Sequence, residues 1–513
     1  MPTLEWIGKE KVINHHQEVP FRILEKKYTY NAESSENMII HGDNLLALKS
    51  LLPQYEGRVD CIYIDPPYNT GNEKWVYNDN VNDPKIKKWL GEVVGQEGED
   101  LSRHDKWLCM MYPRLTLLYR FLSEKGVILI SIDSNELNNL RIICDEIFGR
   151  SNFVDIIVWN KKSGAKGVPP KNMLVNVHEY ILVYQKTSMF RFQGELRIAE
   201  KEGFKNPDND PRGPWRMSNI KSTTKSAEDA FTIVDPNTGK EYTNTWAFSK
   251  ESLERMIAEG RILWKETLPK QKEFFYELTN ESKAIKSSWG VFDPQSTTMF
   301  LKQIMPTIKF DNPKPISLLD YIIEVATSKD SIVLDSFAGS GTTAHAVLDL
   351  NKQDGGNRKF ILVEMMDYAD TITAERVKRV IDGYDEGNKA VAGLGGDFSY
   401  YELGEPLFKD DKNLNEEVGE AEIRKYVYYM ETKMPLEENA NDNRYYLGKH
   451  NDTAYYFYYE KDKPTTLNKS FLATIKTKAT GYVIYADACA LSKELLTQNG
   501  IIFKKIPRDI KKL

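Results

Sequence analysis

The stretch Cys61-Ile62-Tyr63-Ile64-Asp65-Pro66-Pro67-Tyr68 carries three groups suited to holding a planar amine. Asp65 and the carbonyl of Pro66 accept hydrogen bonds, and Tyr68 offers a flat aromatic face. Together they fit an exocyclic amino group on a planar base, with two acceptors on its N–H bonds and the ring stacked on Tyr68. The alternative is a strand-to-loop junction with an N-capping Asp, since Asp-Pro alone is common. A second stretch, Asp335-Ser336-Phe337-Ala338-Gly339-Ser340-Gly341-Thr342-Thr343-Ala344, is suited to cradling a ligand. Its glycines let the backbone approach closely, and a helix starting there leaves N–H groups free for an anionic end. Glu364 closes the next strand, where a carboxylate can accept both hydroxyls of a ribose. Gly339, Gly341 and Ala344, with Glu364 20 residues further on, also satisfy the dinucleotide fingerprint. This second stretch alone therefore leaves the cofactor open, with an ordinary tight strand–helix turn as the bland alternative.

Strands and helices must deliver these groups. A strand over Met38–Ile40 leads into a helix carrying Leu45, Leu46, Leu48, Leu51 and Leu52, with Asn44 as its cap. The apolar run before Asp65 reads as a buried parallel strand, and the prolines after it stiffen the turn. A polar, aromatic loop from Asn69 to about Asp105 is too long for a simple connection, and loops of that length are usually functional. A helix over Trp107–Ser123, a strand over Val127–Ile132 and a helix over Asn135–Phe148 follow. Strands over Val154–Trp159 and Tyr180–Tyr184 flank a loop with lysines at 161, 162, 166 and 171, which contact phosphate or simply solvate the loop. Trp159 at its strand end packs in the core or beside a base. His15, His16 and His178 have no partner at ligand spacing and read as structural or surface residues. Regular alternation stops between 187 and 295, an aromatic-rich module of mixed α+β character. It resumes with a helix over Ser317–Thr327, strands over Ile332–Leu334 and Phe360–Val363, and a glycine-laden linker. The tail from about Phe398 carries Tyr426, Tyr428, Tyr429, Tyr455, Tyr456, Tyr458 and Tyr459, which suit an exposed interface or the core of a small β-rich domain.

Composition excludes several classes. The 513 residues, 41% hydrophobic and 28% charged, are those of a globular chain of roughly two to four domains. No apolar run of about 18 residues indicates a transmembrane helix, and the first residues lack a secretory profile. Cys61, Cys109, Cys144 and Cys489 are isolated, without CxxC pairs or histidines at ligand spacing. They read as reduced thiols of a cytoplasmic protein without a structural metal. The net charge is −6, yet residues 161–310 hold 24 Lys and Arg against 18 Asp and Glu. The middle of the chain is its electropositive part. No G-x-x-x-x-G-K-[ST] occurs, so no ATP-driven translocase is expected here.

Taken together, the Asp-Pro-Pro-Tyr and Asp-x-Phe-x-Gly-x-Gly stretches resemble the paired motifs of amino-group DNA methyltransferases that use S-adenosylmethionine. The catalytic motif precedes the cofactor motif, as in the permuted beta class. Leu4-Glu-Trp-Ile-Gly, the extension Asp65-Pro-Pro-Tyr-Asn-Thr-Gly, and Tyr485-Ala-Asp with Ile506-Pro-Arg-Asp-Ile resemble modification subunits of type III restriction–modification systems. The resemblance implies an α/β fold with a doubly wound, mostly parallel sheet. Its parts would be an N-terminal arm (1–33), a catalytic half (34–186), a target-recognition domain (187–295), a cofactor half (296–398) and a C-terminal assembly domain (399–513). It implies methyl transfer to the N6 amino group of a flipped-out adenine in double-stranded DNA. The catalytic set is then Asp65, Pro66, Pro67 and Tyr68, and the cofactor set Asp43, Lys314, Pro315, Asp335, Phe337, Gly339, Gly341, Thr342 and Glu364. Thr342 would lie near the methionine carboxylate, and Asp43 would meet the cofactor's adenine or cap a helix. Asn312-Pro313-Lys314-Pro315 departs from the family's His-Pro-x-x-Lys-Pro, so Lys314 and Pro315 are carried over as cofactor-side packing only. A homodimer and a restriction subunit are the implied partners. N4-cytosine methylation, a purely DNA-guiding subunit and a dinucleotide oxidoreductase are the competing readings; Asp at 65 favours adenine, and the oxidoreductase would leave Asp65–Tyr68 unused.

Overall fold

The computed structural model describes residues 3–70, 103–161, 175–196, 203–277, 282–310, 312–385, 390–409, 411, 413–437, 442–461 and 463–511. Most of the loop expected between Asn69 and Asp105, and lysines 162, 166 and 171, lie outside these residues. The described residues divide into two compact units, 194–285 and the remainder of the chain.

The larger unit is built on one ten-stranded sheet. In chain order its strands are β1 (Arg22–Tyr30), β2 (Met38–His41), β3 (Val59–Ile64), β4 (Leu122–Ile132), β5 (Phe153–Lys161), β6 (His178–Gln185), β7 (Ser288–Phe292), β8 (Ile332–Asp335), β9 (Lys359–Glu364) and β10 (Phe398–Pro406). Their spatial order is β1-β10-β2-β9-β8-β3-β4-β6-β5-β7. From β10 to β4 every pair is parallel, whereas β1 and β6 run against their neighbours. The expected doubly wound, mostly parallel sheet is therefore present. Its central strands are continuous apolar runs because both faces are covered: Cys61, Ile62, Ile64, Val333, Leu334 and Leu362 are wholly buried. Full burial of each such side chain contributes about 1.5–3 kcal/mol.

Helix α1 (Asn44–Tyr55) carries the chain from β2 to β3, and α2 (Arg103–Phe121) carries it on to β4. Helix α3 (Ile316–Ala326) precedes β8, and α4 (Thr342–Asp354) joins β8 to β9. From β8 the chain continues toward β9, but from β3 it continues the other way, toward β4. The strand order thus reverses between β8 and β3, and such a switch point opens a crevice at the strands' C-terminal ends. The register Val333↔Cys61 and Leu334↔Ile62 sets Asp335 level with Tyr63, so Asp335 and Asp65, two residues further on, both emerge at that crevice.

Several expected boundaries move. The N-terminal arm contains edge strand β1, and the boundary at 399 falls inside β10, which lies between β1 and β2. The tail is part of the main unit: Tyr426, Tyr429, Tyr456 and Phe457 are at most 1% exposed. The idea that the tail's tyrosines form an exposed surface is therefore corrected: Tyr426 and Tyr429, on a helix Glu420–Thr432 that packs against α1, are in the main core, and Tyr456 packs with Phe471 and Ile484 in a second core of the tail's own sheet. The irregular module is shorter than expected. Residues 286–295 return to the main unit and add β7 to its sheet.

The smaller unit has a three-stranded antiparallel sheet of residues 215–219, 262–263 and 270–274, a hairpin of 231–234 and 241–244, and the helix Lys250–Ala258. Its own core gathers Ile220, Ile233, Tyr242, Trp246, Leu253 and Met256, matching the expected α+β character.

Candidate active site

Strand β3 ends at Ile64, so Asp65 emerges at the crevice on a rigid support. Trp107 of α2 donates its indole N–H to the carbonyl of Pro67 at 2.6 Å, which pins the turn from behind. Lys314 Nζ lies 3.2 Å from Asp65 Oδ1 and 2.9 Å from Glu179 Oε2 on β6, and donates to the Tyr68 hydroxyl at 2.5 Å. The Tyr68 hydroxyl donates to Glu179 at 3.1 Å, and Lys161 at the end of β5 reaches the other Glu179 oxygen at 3.2 Å. Two carboxylates and two ammonium groups thus form one alternating network, and it fixes the Tyr68 ring.

Burial and charge oppose each other here. Burial raises the Asp65 carboxyl above its ordinary range, and the Lys314 cation works against that rise. Burial also penalises a charged Glu179, but Lys314 and Lys161 overcome it and hold that carboxyl below the usual range. Lys314 itself is raised, because Asp65 and Glu179 outweigh the cost of burying its charge.

The neighbouring strand end is built differently. Asp335 accepts from the backbone N–H of Phe337 at 2.9 Å and from the Thr343 hydroxyl at 2.6 Å, which folds the turn after β8 onto the start of α4. Gly339 sits at φ +52°, a left-handed conformation suited to glycine, and a Cβ there would stand 3.5 Å from the Phe310 ring. Gly341 at φ +79° precedes α4, and no side chain caps the helix start. Glu364 accepts from the backbone N–H groups of Gly339 at 2.7 Å and Met366 at 2.9 Å. Burial pushes Asp335 up to about 7 and Glu364 up to about 8, against the hydrogen bonds that favour their charged forms.

Between these strand ends lies a cavity of about 250 Å³. Of the expected residues, Asp65, Pro66 and Tyr68 line it on one side, and Asp335, Phe337, Gly339, Thr342, Lys314 and Pro315 line the rest. Pro67, Gly341 and Glu364 support that lining without being part of it. Asp43 is not brought into the cavity: it caps α1, accepting from Leu45 and Leu46 N–H groups, and its other oxygen lies 3.1 Å from Arg114. The expected cap, Asn44, is instead buried and donates to the carbonyl of Ser336. Lys314 lines the cavity and also reaches across it to Asp65. Glu179 was missed; its only signal was an acidic residue opening the apolar strand His178-Glu179-Tyr180-Ile181-Leu182-Val183. Trp159 is 1% exposed, as expected of a core residue, and it also lines the cavity. Among the described residues, no cluster of His, Cys, Asp or Glu could hold a metal ion.

This arrangement has relatives. A family profile described as DNA methylase matches residues 59–375, which span both strand ends. The chain belongs to the DNA methylase family. This DNA methylase is 32% identical over 443 residues to the type III restriction-modification enzyme StyLTI Mod subunit of Salmonella typhimurium, covering 79% of this chain and 66% of that one. It is 34% identical over 421 residues to the EcoPI Mod subunit of Escherichia phage P1, covering 71% and 63%. The type II methyltransferase M.KpnI of Klebsiella pneumoniae is 31% identical over 373 residues, covering 67% and 84%. The matched region spans slightly under two thirds of the length of those two Mod subunits.

Proposed function

We propose that this DNA methylase transfers a methyl group from S-adenosylmethionine to the N6 amino group of an adenine, as the modification and recognition subunit of a type III restriction–modification system. The observation that carries this reading is the placement of Asp65 beside the glycine turn of Asp335–Thr343, on adjacent strand ends around one cavity.

The cofactor side fits such a ligand. The left-handed Gly339, the uncapped start of α4 and the hydroxyls of Ser340 and Thr342 form a cradle with donors for an anionic end. The buried Glu364 carboxyl accepts from the Gly339 N–H and so holds the glycine turn in place from behind the cavity lining. When bound, S-adenosylmethionine supplies an electrophilic methyl on a sulfonium.

The chain's own residues then act by positioning and charge. An adenine amino group is a poor nucleophile because its lone pair is delocalised into the ring. Asp65 and the Pro66 carbonyl accept its two N–H bonds and favour a pyramidal nitrogen, with the lone pair free for in-line attack. The anionic Asp65 also stabilises positive charge developing on that nitrogen. Tyr68, anchored through its hydroxyl, offers a ring on which the base stacks. A base inside a duplex cannot reach this recessed site, so it flips out.

Residues 194–285 are proposed as the target-recognition module, supported by their forming a separate compact unit with its own core. Double-stranded DNA is the proposed substrate. A second copy and a restriction subunit are the proposed partners, supported by the type III Mod relatives. The proposed location is the cytoplasm; among the described residues no helix is long and apolar enough to cross a membrane. The test is sequencing of modified bases in DNA from cells expressing the chain. N6-methyladenine at a fixed sequence is expected. N4-methylcytosine would overturn the adenine assignment, and unmodified DNA the activity.

A further inference from the structure

Behind the start of α4 lies Arg376, on the helix Glu375–Asp382 and wholly buried. Its Nη1 donates to Ser340 Oγ at 2.9 Å and to Thr342 Oγ1 at 2.7 Å. Its Nη2 stands 3.3 Å from Nδ1 of His345, which burial and the neighbouring guanidinium hold neutral, so that this nitrogen accepts. Its Nε has no hydrogen-bond partner, and Arg376 makes no ion pair among the described residues. The acid that acts on it electrostatically, Asp320, is pushed by burial up to about 8 and is largely uncharged at neutral pH. Burial lowers Arg376 only to about 10, so the guanidinium stays charged at neutral pH, with no carboxylate at ion-pair distance among the described residues. A buried, uncompensated cation is costly unless something neutralises it.

The hydrogen-bond chemistry says where that charge is directed. Arginine only donates, so Ser340 and Thr342 each spend an oxygen lone pair on it and keep their hydroxyl hydrogens for other acceptors. The two hydroxyls are 3.4 Å apart, so only one of them can donate to the other. At least one hydrogen is therefore left over, and both residues line the cavity. A hydroxyl backed by a cation is also a stronger donor than one standing alone.

We propose that Arg376 is a positioning residue that turns the Ser340 and Thr342 hydroxyls into the cavity as donors, selecting a ligand whose end at α4 is an amino-acid carboxylate. This deepens the cofactor reading above and rests on it. Arg376 does not touch the ligand; it acts through the two hydroxyls and supplies the positive charge behind them.

Calorimetric titration with two probes separates this role from a merely structural one. S-adenosylhomocysteine carries the amino-acid end, whereas 5′-methylthioadenosine keeps the nucleoside and thioether but lacks the carboxylate. Arg376→Gln should weaken S-adenosylhomocysteine about 10- to 100-fold, the worth of a charge-assisted hydrogen bond. Its affinity for 5′-methylthioadenosine should stay within about 2-fold. Thr342→Val keeps the side-chain volume and leaves Arg376 in place, and should show the same selectivity with a smaller loss. Equal loss of both probes in either variant, or unchanged affinity for S-adenosylhomocysteine in Arg376→Gln, overturns the proposal. Wild-type protein that binds neither probe overturns the cofactor reading itself, a result distinct from loss of selectivity in the variants.

Discussion

Lys314→Met isolates what the buried cation does for Asp65. Methionine keeps most of the apolar stem and removes the charge 3.2 Å from the carboxylate. At an effective dielectric of about 20, two unit charges at that distance interact by about 5 kcal/mol. Relaxation reduces this, and a neighbouring opposite charge typically lowers a carboxyl by about 1–3 pKa units. The sign follows from the opposing influences on Asp65: burial and Glu179 raise it, and Lys314 is the main influence that lowers it, so without Lys314 the carboxyl rises further. On the proposed mechanism, ionised Asp65 is the stronger acceptor for the amino group and the form that stabilises the developing cation. Methyl transfer therefore falls as pH drops through the Asp65 pKa, and the variant should fall at a pH about 1–3 units higher than the wild type. Glu179 keeps Lys161 at 3.2 Å, so the remaining pair is not abandoned. Single-turnover transfer from labelled S-adenosylmethionine to DNA, at saturating cofactor from about pH 5.5 to about pH 9, measures the shift. A variant profile lowered uniformly, with its acid limb where the wild type has it, would refute the electrostatic role of Lys314.

Asp65→Asn keeps the shape and one acceptor but loses the charge, so methyl transfer should drop about 10²- to 10³-fold while S-adenosylhomocysteine affinity changes less than about 2-fold; a near wild-type rate would sink the mechanism. The Glu364 carboxyl is raised in the fold from 4.5 to about 8, so its stabilising contribution is complete at low pH and is lost as pH rises through about 8. Glu364→Gln removes that titration, and the melting temperature of the wild type relative to the variant should fall by about 1–3 °C between about pH 5 and about pH 8.5; a constant difference would show that Glu364 does not titrate as described. Exchanging residues 194–285 for those of a relative should change the methylated sequence and leave cofactor affinity intact, and an unchanged sequence would remove that unit from recognition.

What could be read from the sequence was local. The run Cys61–Ile64 announces a strand buried on both faces because burial on both sides requires continuous apolar residues. The glycines of the second stretch announce a turn that other residues cannot make without strain. What could not be read depends on pairing across the chain. Strand Phe398–Pro406 alternates no more clearly than an isolated hairpin strand, and only its pairing with Arg22–Tyr30 and Met38–His41 places it inside the sheet. For that reason a truncation near 400 would test folding, not assembly, since it removes most of a strand from between two others. The tyrosines of the tail are as compatible with a core as with an interface, and only the packing of helix Glu420–Thr432 on Asn44–Tyr55, and of Tyr456 within the tail's own sheet, decides it. Lys314 and Glu179 were invisible as a pair because they lie 135 residues apart and meet only across the switch point.

The two strand ends also divide the electrostatic work. Around Asp65 the charges are already paired, Asp65 and Glu179 with Lys314 and Lys161, so the side chains proposed to receive the base are fixed in advance. Around the glycine turn they are not: Arg376 lacks a carboxylate partner, and burial raises Asp335 and Glu364 toward neutrality. A site that must hold a reactive geometry benefits from compensated, immobile charges, because no reorganisation is then needed during transfer. A site that must bind a ligand carrying its own charges benefits from charges left unsatisfied until the ligand supplies the partners. The parallel register of β3 and β8 sets these two kinds of surface side by side, although the chain visits them about 270 residues apart.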